Sequence, residues 1–253
     1  MPNISRRRFL QIAGLSLPAV IGIDLSVIEP KRLQVRRLSA GSGGCRFVNF
    51  SDLHYRGDAD YAAEIAATIN GLKPQFVCFA GDLIEHKEYA AEALSFIQQI
   101  EAPVYGAPGN HDYWSGASFP EFTKAFRATG GDWLVDRSIV LPQHDLELHG
   151  MGWIGIHAFQ PAKAGRRLLL SHYPAMADTL GQKFDLILSG HSHGGQIRLP
   201  FYGPLIIPTG VGAYDLGQFA TKYGPLYVSS GVGTLSRIPL RWNCPPEVTV
   251  VTI

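Results

Sequence analysis

Asp52 and His54 stand two residues apart at the end of an apolar run. On an extended strand end both side chains point the same way, so a carboxylate and an imidazole can grip one divalent ion together. Asp82 follows a glycine that permits a tight turn, and its two oxygens can bridge two ions. Asn110 offers a neutral carbonyl oxygen, and His172, His191 and His193 offer imidazole nitrogens. A mixed nitrogen and oxygen set without thiolate suits Mn, Fe or Zn better than Ca or Mg, which favour oxygen alone. Two such ions roughly 3.5–4 Å apart can activate a bridging water and stabilise both the attacking and the leaving oxygen.

These residues need elements that deliver them to one place. Apolar runs at 46–50, 75–80, 103–107, 167–170 and 184–188 each end in candidate ligands, which reads as five strands with polar tips. Between the early runs, Tyr61, Ile65, Ile69 and Leu72 recur at helical spacing, as do Leu94, Ile97 and Ile100 within 89–100. Strands alternating with helices predict an α/β protein with a largely parallel or mixed sheet, and ligands gather at the carboxyl ends of such strands. The strands after residue 138, including Glu247–Thr252, predict a second and more antiparallel sheet.

Asp52-x-His54, Gly81-Asp82, Gly109-Asn110-His111-Asp112, a lone His172 and Gly190-His191-x-His193 resemble, in identity and order, the calcineurin-like metallophosphoesterases. The resemblance spans about residues 45 to 253. It implies a two-sheet β-sandwich flanked by helices, in four αββα layers. It implies two divalent ions (Mn, Fe or Zn, with Mn favoured), one held by Asp52, His54, Asp82 and His193, the other by Asp82, Asn110, His172 and His191. It also makes His111 the acid beside the scissile phosphate, with Asp112 orienting it. No Ser or Cys nucleophile is needed, so direct attack by metal-bound hydroxide is the expected route to cleavage of a phosphodiester or pyrophosphate. The stretches 52–55, 191–200 and 231–233 resemble the exported or membrane-associated branch of that family, whose members include enzymes acting on UDP-diacylglucosamine-type lipids. His172-Tyr173-Pro174-Ala175 departs from the family's frequent His-Asn-Pro-Asp, which keeps the ligand and changes its neighbours. A phosphomonoesterase or nuclease on the same scaffold is the alternative. A non-catalytic metal-binding scaffold would have no need of His111 and Asp112.

Composition agrees with a folded enzyme: 253 residues, 46% hydrophobic and 17% charged, with a formal net charge of +1. Much of the positive charge lies in Arg6, Arg7, Arg8, Lys31, Arg32, Arg36 and Arg37, so the body is mildly acidic and nucleic acid is not a favoured partner. Ser5-Arg6-Arg7-Arg8-Phe9-Leu10 followed by an apolar stretch to Ile23 resembles a twin-arginine export signal or a membrane anchor. The expected organisation is a signal or anchor at 1–30, a basic, Gly-rich linker at 31–44 and one catalytic domain at 45–253. A membrane surface is the expected partner of the N-terminal segment, and the cell envelope the expected location. The three cysteines, Cys45, Cys78 and Cys244, fit neither a disulfide framework nor a thiolate zinc site.

Other candidates carry a plainer reading. His86, His144, His149 and His157 sit in no motif and read as surface or satisfied histidines. Gln196 and Arg198 read equally well as phosphate or sugar contacts and as structural groups. Phe119, Phe122 and Phe126 follow helical spacing and read as core, with an apolar wall that includes Trp114 as the rival. Tyr214 and Tyr223, in a Gly-rich stretch, are candidates for a pocket mouth. Replacing Arg6 and Arg7 by Lys keeps the charge and removes only the receptor-read pair. Cell fractionation of that variant is expected to show blocked export, and normal export would reduce the run to the basic flank of an anchor.

Overall fold

The computed structural model describes residues 22–41, 43–153 and 159–253. The twin-arginine run, most of the apolar stretch and His157 lie outside the described residues. Six strands form the first sheet: β1 (Gln34–Ser39), β2 (Arg46–Phe50), β3 (Val77–Phe79), β4 (Val104–Gly106), β5 (Asp132–Trp133) and β14 (Glu247–Thr252). A second sheet uses β6 (Arg137–Leu141), β7 (Leu146–Gly150), β8 (Arg166–Leu170), β9 (Leu186–Ser189), β12 (Gly217–Thr221) and β13 (Gly224–Val228). A hairpin of β10 (Arg198–Leu199) and β11 (Gly203–Pro204) stands apart.

The first sheet runs β1-β14-β2-β3-β4-β5 and is parallel except where β14 meets β2. The second runs β12-β13-β9-β8-β7-β6, with antiparallel pairing only at its two outer steps. Alternation along each strand explains the layers. In β2, Val48 and Phe50 face the helices while Phe47 faces the other sheet. In β8, Leu168 and Leu170 meet that inner face, and Leu169 points outward. The first sheet's outer face is covered by α1 (Ala59–Gly71), α2 (Ala90–Ile97) and α4 (Phe119–Ala128). A one-turn helix, α3 (Asn110–Trp114), sits at the end of β4. The second sheet's outer face is covered by a 3₁₀ turn, Pro174–Asp178, and by Leu180 and Phe184 from the segment after it.

Local sequence explains the helices. Tyr61, Ile65 and Ile69 bury one face of α1, and the Asp58 carboxylate accepts the Tyr61 amide at 3.2 Å to cap it. Such a cap contributes about 0.5–2 kcal/mol. Phe122 and Phe126 of α4 pack on Trp133, as their spacing predicts, whereas Trp114 is exposed. Among the described residues no helix is long and apolar enough to cross a membrane.

Two expectations change. The stretch read as a linker supplies β1, which pairs with β14 over its whole length and buries Leu38 between the sheets. Arg36 and Arg37 masked it, because an edge strand tolerates charge on its open side. Glu29, just upstream, is buried and accepts the Cys244 amide at 2.7 Å. The strand Glu247–Thr252 belongs to the first sheet, not the second, because its backbone fills the gap between β1 and β2. A chain starting at Gly41 is therefore expected to melt at least roughly 3 °C below one starting at Gly22, since Leu38 burial alone contributes about 1.5–3 kcal/mol. Equal thermal midpoints would return residues 31–44 to the role of a free joint.

Candidate metal centre

The ligand candidates come from both sheets. Beyond β2 lie Asp52 and His54, beyond β3 Asp82, and at the start of α3 Asn110; beyond β8 and β9 lie His172, His191 and His193. Five of the seven hold left-handed backbone: Asp52 (φ 55°), His54 (φ 45°), Asp82 (φ 59°), His191 (φ 66°) and His193 (φ 49°). The strands thus turn at once, and the side chains face a common cleft. Gly81, at φ 92°, also lies where a Cβ would come within 2.6 Å of the Gly109 nitrogen and 2.7 Å of His172 Nδ1. Only glycine permits that approach.

All seven are buried. His54 and His193 bring their Nε2 atoms within 3.0 Å of each other, and His193 Nε2 lies 3.5 Å from Asp52 Oδ1. His172 Nε2 lies 3.0 Å from Asp82 Oδ2, which is also 3.5 Å from His54 Nε2. Asp52, His54 and His193 form one group and Asp82, His172 and His191 another, with ligand atoms within 4.8 Å in each. Asp82 Oδ2 lies between the two. Asn110 Oδ1 is buried without a hydrogen-bond partner, a state that costs about 1–3 kcal/mol unless a cation satisfies it. These buried, converging nitrogen and oxygen donors fit a pair of divalent ions.

For two of the histidines electrostatics point the same way. Burial and the charge of His172 push His191 down to about 4, and burial with His54 and Arg241 drives His193 well below its ordinary value. Neutral imidazoles are what a cation requires. Burial opposes charge on His172, yet the Asp82 carboxylate draws it up to about 9. Burial pushes the Asp82 carboxyl up, but His172 above all, with His54 and His111, holds it well below the carboxylate range.

His111 lies beside this cluster, its ring 4.6 Å from that of His54. The expected contact with Asp112 is absent. Asp112 instead accepts the amides of Asp82 at 2.9 Å, Leu83 at 2.8 Å and Gly109 at 2.8 Å. At the third position of α3 its carboxylate folds back over the helix start, while the His111 amide donates to Asp82 Oδ1 at 2.8 Å. Asp112 therefore positions the bridging candidate. The group that meets the His111 imidazole is Glu85, whose Oε2 accepts from Nδ1 at 2.7 Å. Burial lowers the His111 pKa, but the hydrogen bond to Glu85 and the charge of Asp82 outweigh it and raise the net value. The sequence offered one faint sign of Glu85, a carboxylate three residues after Asp82. It gave none of Arg241, which is fully buried and donates to the carbonyls of Ser230, Gly231, Gly233 and Cys244.

Comparison with known proteins follows this geometry. The family model for calcineurin-like phosphoesterases matches residues 45–195. The chain belongs to that family. As a calcineurin-like phosphoesterase it is a phosphoester hydrolase, and its fold agrees with a solved structure that superposes at TM-score 0.52 and 11% identity over 74% of this chain and 90% of that one. It is similar to YkuE of Bacillus subtilis, named an uncharacterized metallophosphoesterase, at 30% identity over 100% of this chain and 99% of that protein. It is also similar to phosphodiesterase YaeI of Escherichia coli at 29% identity, covering 99% of each chain. UDP-2,3-diacylglucosamine pyrophosphatase LpxG of Chlamydia trachomatis is 25% identical over 74% of this chain and 77% of that protein.

The remaining candidates take structural places in this phosphoesterase. Gln196 donates to the carbonyls of Ile238 and Leu240 and accepts the Leu235 amide at 2.8 Å. Arg198 pairs with Asp215 at 2.8 Å. Tyr214 donates to Asp178 at 2.6 Å, and Tyr223 sits at the β12–β13 turn. His86 is exposed, His144 packs on Phe76, and His149 meets the Ser138 hydroxyl at 2.9 Å. Glu85→Gln should lower the His111 pKa, because it removes a charge that favours the imidazolium. An acid must be protonated to act, so the alkaline limb of the pH–rate profile is expected to move to lower pH. A pH titration of kcat checks this, and an unmoved limb would remove Glu85 from His111's function.

Proposed function

We propose that this chain hydrolyses a phosphodiester or pyrophosphate bond in an envelope or lipid-linked molecule of the UDP-diacylglucosamine type. The observation that carries the reading is Asp82 Oδ2 lying between His54 and His172, with the Glu85–His111 pair beside them. Two divalent ions, manganese in our reading, supply the positive charge that activates water and neutralises the phosphate when bound. Asp52, His54 and His193 would hold one, Asn110, His172 and His191 the other, with Asp82 serving both.

His111 keeps its Nδ1 proton on Glu85, so the proton for the leaving oxygen is held at Nε2. Asp112 fixes Asp82 through three amides, and Arg241 supports the 230–233 loop against Asp52. The body of the substrate meets aromatic surface. The Trp114 ring lies tilted 5.0 Å from that of His111 and meets Trp153 edge-on at 5.5 Å. A cavity of about 140 Å³ beside His172 is lined by Pro108, Met151, Trp153, Tyr173 and Met176. Its apolar lining suits an acyl or sugar-lipid portion, in keeping with the names of two relatives, a phosphodiesterase and a diacylglucosamine pyrophosphatase. Residues 5–23 make the envelope the proposed place of action.

The test loads the protein with manganese and compares phosphodiesters that have nitrophenol or alkyl-alcohol leaving groups. Wild type is expected to cleave diesters faster than the matching monoesters. His111→Asn should lose about 10²–10⁴ in turnover with the alkyl leaving group and much less with nitrophenol, which needs little protonation. An equal loss for both would remove His111 as the acid, and preference for monoesters would overturn the diesterase reading.

A further inference from the structure

Beside the metal cluster, the β10–β11 hairpin presents an unusual surface. Phe201 is fully exposed, with Tyr202 at 75%, Ile206 at 66% and Leu205 at 50% exposure. Phe201 also holds a left-handed backbone at φ 64°, a strained conformation that bulky residues rarely adopt. A strained tip of large apolar side chains in water has no stabilising role in the isolated fold.

Both ends of the hairpin are tied into the metal cluster. His191 Nε2 contacts the Thr209 carbonyl at 2.8 Å, and Arg198 donates to the Gly194 carbonyl at 2.8 Å, next to His193. The Arg198 amide also donates to the Trp242 carbonyl at 3.0 Å, and the Trp242 amide to that of Gln196 at 2.8 Å. On the same ledge the Arg241 amide donates to the Leu25 carbonyl at 2.9 Å. Leu25 belongs to the short helix Asp24–Ile28, which leaves Ile23, Val27 and Ile28 more than half exposed. Into that helix runs the apolar stretch from Phe9. Exposed Arg237 lies in the segments that build this ledge, with Lys31 and Arg32 beside it, paired with Asp58 at 2.8 Å and Glu29 at 3.4 Å; a cationic side chain there suits anionic headgroups.

We propose that the hairpin tip, Phe201, Tyr202, Leu205 and Ile206, inserts into the surface of the lipid bilayer that the N-terminal segment reaches. The metal cluster would then open at the headgroup level, where a phosphoester with acyl chains is cleaved without leaving the membrane. The inference rests on the lipid-linked substrate proposed above. The occupant is a bilayer because the base of the hairpin is tied through Trp242 and Arg241 to the helix Asp24–Ile28, which continues the apolar stretch of the sequence, and exposed Arg237 lies in the same segments.

The test uses the full chain with Tyr202→Cys carrying an environment-sensitive fluorophore; the native cysteines, Cys45, Cys78 and Cys244, are all buried. Vesicles of phosphatidylcholine and phosphatidylglycerol with brominated acyl chains should shift the label to the blue and quench it. A label at Gln98→Cys, on the outer helix layer, should stay unaffected. A vesicle-bound protein whose tip label stays in water would overturn the proposal, as would a label buried equally without vesicles as protein concentration rises, which assigns the tip to a second copy. F201D/I206D should cleave soluble bis(p-nitrophenyl) phosphate at the wild-type rate. Against a long-chain alkyl p-nitrophenyl phosphodiester carried in the vesicles it should lose about tenfold or more. Equal loss on both substrates would count against membrane insertion. If wild type cleaves neither, the hydrolase reading fails, and quenching of the tip label alone decides the hairpin.

Discussion

The centre depends on backbone held where side-chain-bearing residues resist going. Asp52, His54, Asp82, His191 and His193 all take positive φ, at roughly 1–3 kcal/mol each. A strand that continued straight would send alternate side chains to opposite faces, and no pair of strand ends would surround a cation. The surrounding hydrogen bonds hold the bend. The amides of Asp52, His54 and Tyr55 donate to the carbonyls of Gly81, Asp82 and Leu83, so pairing of β2 with β3 continues through the turn. Asp112 adds three amide contacts from below. From the other side the amides of Val232 and Gly233 donate to the carbonyls of Ser51 and Asp52.

That last contact explains an otherwise costly buried cation. The Arg241 guanidinium is satisfied by the carbonyls of the 230–233 loop and of Cys244. A buried ion is tolerable only when its donors are matched. Here the matching fixes the loop that lies against Asp52, and the charge also helps keep His193 neutral. Packing and electrostatics of the centre therefore meet in one residue, 48 positions beyond His193 in the chain.

What was legible in the sequence was local. Asp52-x-His54, Gly81-Asp82 and His191-x-His193 were legible because each places its ligands within two or three residues at a strand end, although Asp52 and His54 converge through left-handed backbone and not through the extended strand expected. The helix α1 was equally plain, since Tyr61, Ile65 and Ile69 repeat at its period. Glu85 was not, because its meaning lies in a contact with His111, 26 residues on. Asp112 was misread for the converse reason. Adjacency to His111 suggested contact, yet neighbours on a helix point apart, and the carboxylate turned to the amides at the helix start. β1 hid behind Arg36 and Arg37, whose charges belong to an open sheet edge.

The cleft divides into a buried, hydrogen-bonded inner half and an aromatic rim. Inside, ligands and their supports are buried and hydrogen-bonded, so little can change without loss of the bend. At the rim Tyr173 replaces a polar neighbour of His172 and lays its ring 4.0 Å from that of His191. Gly210 leaves the space this ring occupies, since a Cβ there would meet Tyr173. One aromatic side chain thereby covers a ligand, walls the apolar cavity beside His172 and fixes the path of the chain from the hairpin back to the second sheet. The donors that converge on the centre and the aromatic wall beside them are therefore carried by different residues, separated by the thickness of one ring.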